Sequence, residues 1–163
     1  MVRHESDRED LIREAVALHE RVELQVSGFD DPVTIGYRSN RAMSIFFGQD
    51  PVYQFDPQGC LRRAFVDGLL YRSQHGTLAR LRRQRTDSKT LLLRDDLKPD
   101  ELECFKARMR QSLETLRSSI TSGKAVVSRS VPESHNLLPE VANSLHLALN
   151  TVPWLSAEIR RRV

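Results

Sequence analysis

Turn residues at short, regular intervals constrain the fold of this chain more than any other feature. Between Val22 and Arg94, apolar segments of about four to eight residues alternate with turn-forming clusters at residues 27–32, 48–51 and 56–59. These intervals are too short for the helical crossovers that join parallel strands. The sequence therefore predicts an antiparallel meander of six to eight strands, in a sheet that stays open or curls towards a barrel.

The pair Asp67 and Gly68 predicts a two-residue hairpin turn within the segment CLRRAFVDGLLYRS, residues 60–73. Such a turn fixes the register of the two strands and places Arg63 opposite Arg72. The other predicted pairs are Val66 with Leu69, Phe65 with Leu70 and Ala64 with Tyr71. Like charges directly opposite each other are destabilising by about 0.2–1 kcal/mol. An arginine that faces an arginine therefore needs a physical explanation.

A third strand, predicted over residues 77–84, extends the same pattern. A tight turn near Gly76 would place Arg72 beside Ala79 and Arg80 opposite Tyr71. Apolar residues fall on both faces of the sheet in this register. Either the strands extend past the edge of the core, or a bulge shifts the register.

Before the meander, the sequence predicts an N-terminal helix over residues 7–21. Ser6 and Glu9 form a capping box, in which each side chain satisfies a free N–H of the first helical turn. Apolar residues follow at helical spacing on one side only: Leu11, Ile12, Ala15, Val16 and Val22, together with His19. This helix should therefore lie on another element.

After the meander, Pro99 occupies a first helical position and opens a long helix that ends near Gly123. An apolar seam with a period near 3.5 residues runs along it: Leu102, Phe105, Met109, Leu113, Leu116 and Ile120. The seam either docks on the sheet of its own domain or pairs with a second copy in a coiled coil.

These elements predict an α+β protein whose long C-terminal helix covers the sheet. We expect a single domain over residues 1–123, a linker over residues 124–136 and a short helical extension over residues 137–163. The extension comprises a helix over residues 139–150 and a second one that starts at 151–153.

Several functional classes find no support in the sequence. It contains no P-loop, no GxSxG nucleophile motif and no HExxH or paired-cysteine zinc spacing, so we predict no metal, cofactor or catalytic residue. No apolar run approaches the roughly 18 residues that span a bilayer. The polar start MVRHESDRED does not resemble a secretory signal. We interpret Cys60 and Cys104 as reduced thiols of a cytoplasmic protein without membrane contact.

Positive charge is concentrated in one segment of the chain. Residues 1–59 carry six basic and eleven acidic residues, residues 60–94 carry nine and two, and residues 95–163 carry ten and nine. The local net charges are therefore −5, +7 and +1, within an overall charge of +3. Eight of the nine cations in the middle segment are arginine, the side chain that pairs best with phosphate and carboxylate groups.

Three interpretations of this segment remain open. Acids of the first third, namely Glu14, Glu20, Glu23, Asp30 or Asp31, can neutralise it within the fold, and charge also protects sheet edges from aggregation. Alternatively, the segment binds an anion or nucleic acid, or it recognises an acidic protein. For the anion or nucleic-acid interpretation the candidate residues are Arg62, Arg63, Arg72, Arg80, Arg82, Arg83 and Arg85, with Tyr71 as a stacking platform.

The sequence thus supports two hypotheses of function. The first is a non-enzymatic module that binds nucleic acid or another polyanion through the arginine-rich hairpin region. The second is a protein-interaction or scaffold domain, in which the seam over residues 102–120 or the C-terminal extension contacts a protein partner or a second copy in a homodimer.

Overall fold

A meander of seven antiparallel strands forms the centre of the fold. The computed structural model describes residues 18–66, 69–72, 77–83, 91–94, 99–134, 136–155 and 158–159. The meander consists of β1 (Glu20–Gln25), β2 (Val33–Tyr37), β3 (Met43–Phe47), β4 (Asp50–Phe55), β5 (Leu61–Val66), β6 (Leu69–Arg72) and β7 (Thr77–Arg83). Each strand pairs with the next, as the short turn intervals predicted.

Three further strands extend the sheet at its two edges. β9 (Val126–Val131) pairs antiparallel with β1, while β8 (Leu91–Arg94) and the parallel β10 (Glu158–Ile159) both pair with β7. The strand order is therefore linear, from β10 through the meander to β9. Within the described residues the two edges do not pair, so the sheet is open and does not close into a barrel.

The hairpin between β5 and β6 has the predicted register. Arg63 lies opposite Arg72, and the other three pairs also match the prediction. A bulge between β4 and β5 places Gln54 opposite Arg63 but Phe55 opposite Leu61. Because one extra residue is accommodated there, the side chains of Leu61 and Ala64 can both be buried, at 5% and 1% exposure. The bulge does not move Phe65 and Leu70, which stay on the same face as Arg63.

The pairing of β6 with β7 differs from the prediction by two residues. Arg72 lies opposite Thr77 rather than Ala79, and Arg80 lies opposite Leu69 rather than Tyr71. Because side chains alternate with a period of two along a strand, this shift leaves every register position on its predicted side of the sheet.

Two helices cover one face of the sheet. In α1 (Pro99–Thr121) the predicted seam is buried, with Phe105, Met109, Leu113 and Leu116 each at most 2% exposed. These side chains belong to the same hydrophobic cluster as the strands, so the seam docks on its own domain. α2 (Leu138–Thr151), followed by a 3₁₀ turn (Val152–Trp154), packs against α1 and contributes Val141, Leu145 and Ala148 to that cluster.

The segment after α1 differs from the expected linker. Val126–Val131 form β9, which is hydrogen-bonded along β1, and the following helix α2 shares the core of the sheet. The valines of this stretch favour an extended strand, and Gly123 (φ +74°) ends α1 and turns the chain back. In the structure the segment therefore connects two helices of one core.

The predicted N-terminal helix lies mostly outside the described residues. At its predicted end the structure already begins β1 at Glu20, so the boundary at residue 21 is wrong. No helix within the described ranges is long and apolar enough to cross a bilayer.

Candidate anion-binding site

The two faces of the sheet differ sharply in chemistry. Strand register places Val22, Ile35, Ile45, Tyr53 and Ala64 in line across the face that α1 and α2 cover, which we call the helix face. All five of these side chains are almost fully buried in the main core. The opposite side of the sheet, which we call the second face, carries the alternate residues of the same strands.

A continuous row of small and polar residues crosses the second face. Gly36 pairs with Ser44, Ser44 with Gln54, Gln54 with Arg63, and Arg63 with Arg72. We call these five residues the polar row. Neighbouring strands lie about 4.8 Å apart, so the row spans roughly 19 Å across five strands. The two opposed arginines stand at one end of it.

Three of the five residues of the polar row are buried, and side chains in the row contain buried atoms without a hydrogen-bond partner among the described residues. Ser44 is 1% exposed and Gln54 is 7% exposed, while Arg63 and Arg72 are half-buried. The Oγ of Ser44 and the Nη1 of Arg63 are both inaccessible to solvent and have no hydrogen-bond partner among the described residues. A buried polar group without a partner costs about 1–3 kcal/mol, and more if it is charged. Arginine cannot escape this cost by losing its proton.

Internal neutralisation does not reach Arg62 or Arg63 within the described part of the chain. Glu20, one of the acids expected to balance the segment, binds Arg41 instead, at 2.7 Å between Oε1 and Nη1. Neither Arg62 nor Arg63 forms an ion pair with any residue that the structure describes. Glu14 lies outside the described residues. The guanidinium of Arg63 therefore sits beside a second arginine and still requires an acceptor.

An apolar row runs alongside the polar row, two residues further along each strand. Phe46, Phe65 and Leu70 occupy these positions, with Phe65 opposite Leu70. Phe46 and Leu70 are 4% and 6% exposed, yet neither belongs to the main core cluster on the helix face. The second face thus combines a cationic, hydrogen-bonding strip with a buried apolar strip.

The other predicted site residues are distributed differently. Arg62 is exposed at the β5 bulge, next to Arg63 in sequence but outside the polar row. Arg80, Arg82 and Arg83 lie in β7, where Arg80 pairs with Arg94 in a second arginine opposition. Arg85 lies outside the described residues.

Tyr71, the predicted stacking platform, is a core residue of the helix face. It is 4% exposed, and its ring centroid lies 6.2 Å from that of Phe105 on α1. Burial raises the pKa of Tyr71 above its ordinary value. A base cannot stack on a ring that is enclosed in this way, so Tyr71 does not belong to the candidate site.

Sequence reasoning missed Ser44 and Gln54, although a signal for both was present. Each is a polar residue inside an otherwise apolar strand, in MSIFF and DPVYQF respectively. If the register of the β5–β6 hairpin is extended to β3 and β4, Ser44 and Gln54 align with Arg63. The bulges at Ile45/Phe46 and Gln54/Phe55 obscure that alignment in the sequence.

A second polar cluster lies on the helix face, where the charge of Arg41 is paired with acids of the same chain. Arg41 contacts the carboxylates of Glu20 and Glu140, and its Cζ lies 4.5 Å from the ring centroid of Tyr37. The Tyr37 hydroxyl donates to Ser144 Oγ at 2.8 Å. Burial raises the pKa of Tyr37, while the Ser144 hydrogen bond and the Arg41 charge offset part of that rise. This cluster joins α2 to the sheet.

Other surface features offer less to a ligand. A groove of about 580 Å³ follows the outer side of α1, but its charged lining residues Arg110, Glu114 and Lys124 are all exposed and of mixed sign. No group of three or more metal-ligating side chains occurs within the described ranges. Cys60 and Cys104 are free, exposed thiols.

Comparisons with known proteins identify no relative. No protein-family model, curated protein or solved structure matches this chain. The function must therefore be inferred from the geometry of the site.

Proposed function

We propose that the protein is a binding module for an anionic ligand and that the polar row is its site. The observation that carries this proposal is the buried Nη1 of Arg63, which lacks an acceptor among the described residues and lies next to Arg72. A bound anion supplies the missing acceptor and offsets the repulsion between the two guanidinium groups. Charge-assisted hydrogen bonds of this kind are roughly twice as strong as neutral ones.

A phosphoryl group has the chemistry that suits this row best. Its oxygens accept hydrogen bonds from the guanidinium of Arg63, and its negative charge offsets the repulsion between Arg63 and the neighbouring Arg72. Gln54 lies beside Arg63 in the row and offers an amide donor, while the hydroxyl of Ser44 offers another. The group can belong to a small phosphate compound or to the backbone of a nucleic acid.

The decisive experiment compares two adjacent arginines in the full chain. Arg63→Gln removes the charge at the polar row, and Arg62→Gln removes the same charge from the exposed bulge. Binding of inorganic phosphate is measured by calorimetry, and binding of labelled RNA and DNA oligonucleotides by anisotropy, at about 50 mM and about 200 mM salt. We expect Arg63→Gln to weaken binding by about tenfold or more, because a hydrogen bond to a charged group contributes about 1.5–3 kcal/mol.

The control variant and the probe separate the possible sources of the anion. Arg62→Gln should change affinity by less than about threefold. Saturable phosphate binding identifies a small-anion site, whereas oligonucleotide binding that weakens steeply with salt identifies a nucleic-acid backbone. If both variants lost the same amount of affinity, binding would depend on the overall positive charge of the surface, and the polar row would be rejected as the site. Absence of binding to every probe at low salt would reject the function.

The alternative hypothesis, a protein-interaction domain, has less support from the same surfaces. The seam of α1 is buried in the core, and so is the apolar side of α2. Val126 and Val127 are exposed on the edge strand β9, at 61% and 42%. That strand, however, contains a bulge and Arg129 and is followed by Pro132, three features that protect natural sheet edges from pairing.

A further inference from the structure

We propose that the anion bound by Arg63 belongs to a linear chain of several phosphate groups, and that Arg21 binds a second phosphate of the same chain. This inference rests on the proposed function and names the class of ligand that the site takes. A single strand of nucleic acid has this chemistry, and so has inorganic polyphosphate.

The line of paired residues on the second face continues beyond the polar row to a further arginine. Arg21 of β1 lies opposite Gly36, the first residue of the row. Residues that face each other across an antiparallel pair share one side of the sheet, so Arg21 lies on the same side as Arg63. The line therefore has an arginine on each side of an uncharged centre, which consists of Gly36, Ser44 and Gln54.

Arg21, like Arg63, has no ion-pair partner within the described part of the chain. Glu23 lies two residues further along β1 on the same side of the sheet, opposite Arg129 of β9, but it forms no ion pair with either arginine. Arg21 is half-buried, so part of its hydration is already lost. A phosphate oxygen would supply the acceptor that this guanidinium lacks among the described residues.

The distance between the two arginines determines the size of the ligand. Four steps of about 4.8 Å from strand to strand separate Arg21 from Arg63, which is roughly 19 Å in all. A single phosphate group is too small to contact both side chains. A strand that is stacked as in a duplex advances about 3.4 Å per phosphate, so about seven consecutive phosphates bridge this distance.

The two arginines are also more accessible than the residues between them. Arg21 and Arg63 are half-buried, whereas Gly36, Ser44 and Gln54 are buried. A linear ligand would therefore be held mainly at two separated points. Once the first contact has formed, the second one forms within an already bound molecule, which raises the affinity of a long chain above that of a short one.

Chain length is varied first, with the wild-type protein. A dinucleoside monophosphate carries one phosphate, whereas a single-stranded decanucleotide carries nine and can reach both arginines. At about 50 mM salt we expect the decanucleotide to bind at least about tenfold more tightly than the dinucleoside monophosphate. Equal affinity of the two ligands would overturn the inference.

Arg21→Gln is the decisive variant. We expect it to weaken decanucleotide binding by about fivefold, and to lower the slope of log affinity against log salt by about 0.7, because one phosphate contact is lost. Its affinity for inorganic phosphate should stay within about twofold of the wild-type value, which also shows that the variant is folded. Arg63→Gln, in contrast, should weaken the binding of both ligands.

The matched control is Arg110→Gln. Arg110 is an exposed arginine of α1, and α1 covers the opposite side of the sheet. This variant removes the same charge and should change neither affinity by more than about twofold. If Arg110→Gln and Arg21→Gln weakened decanucleotide binding equally, the effect would come from overall charge, and the role of Arg21 would be rejected.

The remaining outcomes separate this inference from the proposed function. If Arg21→Gln left decanucleotide binding unchanged while phosphate binding still depended on Arg63, the chain ligand would be rejected and the anion site kept. If phosphate and every chain failed to bind at low salt, the proposed function itself would be rejected. Inorganic polyphosphate of matched length distinguishes the sources of the ligand. Either a preference for DNA or RNA, or equal affinity for polyphosphate, supports a linear phosphate ligand when the affinity depends on Arg21.

Discussion

The two faces of the sheet each carry an arginine with buried neighbours. The two arginines differ in whether their guanidinium groups have acceptors among the described residues. On the helix face, Arg41 reaches Glu20, Glu140 and the ring of Tyr37, so its charge is met by groups of the same chain. On the second face, Arg63 has a buried Nη1 without an acceptor among the described residues and stands opposite Arg72.

This difference concerns how far each charge is paired within the chain. A charge that only holds the fold together is paired within it, because an unpaired buried charge lowers stability. Arg41 even occupies a left-handed backbone conformation (φ 70°), which is costly for a residue with a Cβ. Its three contacts offset that cost. On the second face, the buried Nη1 of Arg63 retains such a cost, with no acceptor among the described residues to offset it.

The largest effect is expected on the helix face. Arg41→Ala should lower the free energy of unfolding by about 2–3 kcal/mol, because a hydrogen-bonded charge beside the buried Glu20 is lost while the left-handed conformation remains. Arg41→Gly should be about 1 kcal/mol less damaging than Arg41→Ala, since glycine adopts φ 70° without strain. Urea denaturation of both variants measures the two values.

The stabilities of the alanine and glycine variants can also contradict the prediction for Arg41. Arg41 closes the turn between β2 and β3, where its N–H donates to the carbonyl of Arg38 at 2.9 Å. Either variant keeps this backbone bond, so the difference between them reports the strain alone. Equal stability of the two would show that the left-handed conformation carries no cost, and wild-type stability in both would reject the structural role of Arg41.

Particular residues show how much of this architecture the sequence predicts. The Asp67 and Gly68 turn, with its short fixed geometry, predicts all four pairs of the β5–β6 hairpin, including Arg63 with Arg72. The spacing of the α1 seam likewise identifies the side that is buried. Both signals are local, because they depend on residues close together in the chain.

What the sequence does not predict depends on distant contacts. Ser44 and Gln54 join the polar row only after pairing across β3, β4 and β5, where two bulges shift the count. Arg41 is 99 residues from Glu140, and nothing in the local pattern joins them. The stretch 126–131 resembles a linker because its partner strand, β1, lies about a hundred residues away. The burial of Tyr71 likewise depends on α1 rather than on its neighbours in the hairpin.

A matched pair of serines sharpens the comparison of the faces. Ser144→Ala removes the acceptor of the Tyr37 hydroxyl, so it should destabilise the protein by about 1 kcal/mol. Ser44→Ala removes a buried hydroxyl that has no partner among the described residues, so stability should be unchanged or rise by up to about 1 kcal/mol.

Thermal and urea unfolding show directly whether each serine variant is more or less stable than the wild-type protein. The measurement is made without added anion, because a bound anion would stabilise the wild-type protein and bias the comparison. In the presence of phosphate, Ser44→Ala should lose part of the ligand-induced rise in Tm. A loss of more than about 1 kcal/mol in Ser44→Ala without anion would mean that the hydroxyl is satisfied, and the contrast between the faces would no longer hold.

The smallest effect is a pH dependence confined to the helix face. The pKa of Tyr37 is raised from its ordinary value of 10.0, mainly by burial, so the folded state keeps the phenol proton after the unfolded state has begun to lose it. Below pH 10 the contribution to stability is constant. Above pH 10 stability falls as pH rises, until the folded phenol also ionises, with a slope of at most about 1.4 kcal/mol per pH unit.

Tyr37→Phe removes this slope and leaves only that of other groups, such as Tyr71. Ser144→Ala serves as the control, because it breaks the same hydrogen bond but keeps the phenol and therefore the alkaline loss. Urea midpoints between about pH 9 and pH 11 test this, and an equal alkaline slope in wild type and Tyr37→Phe would show that the hydroxyl is not held in a desolvated site.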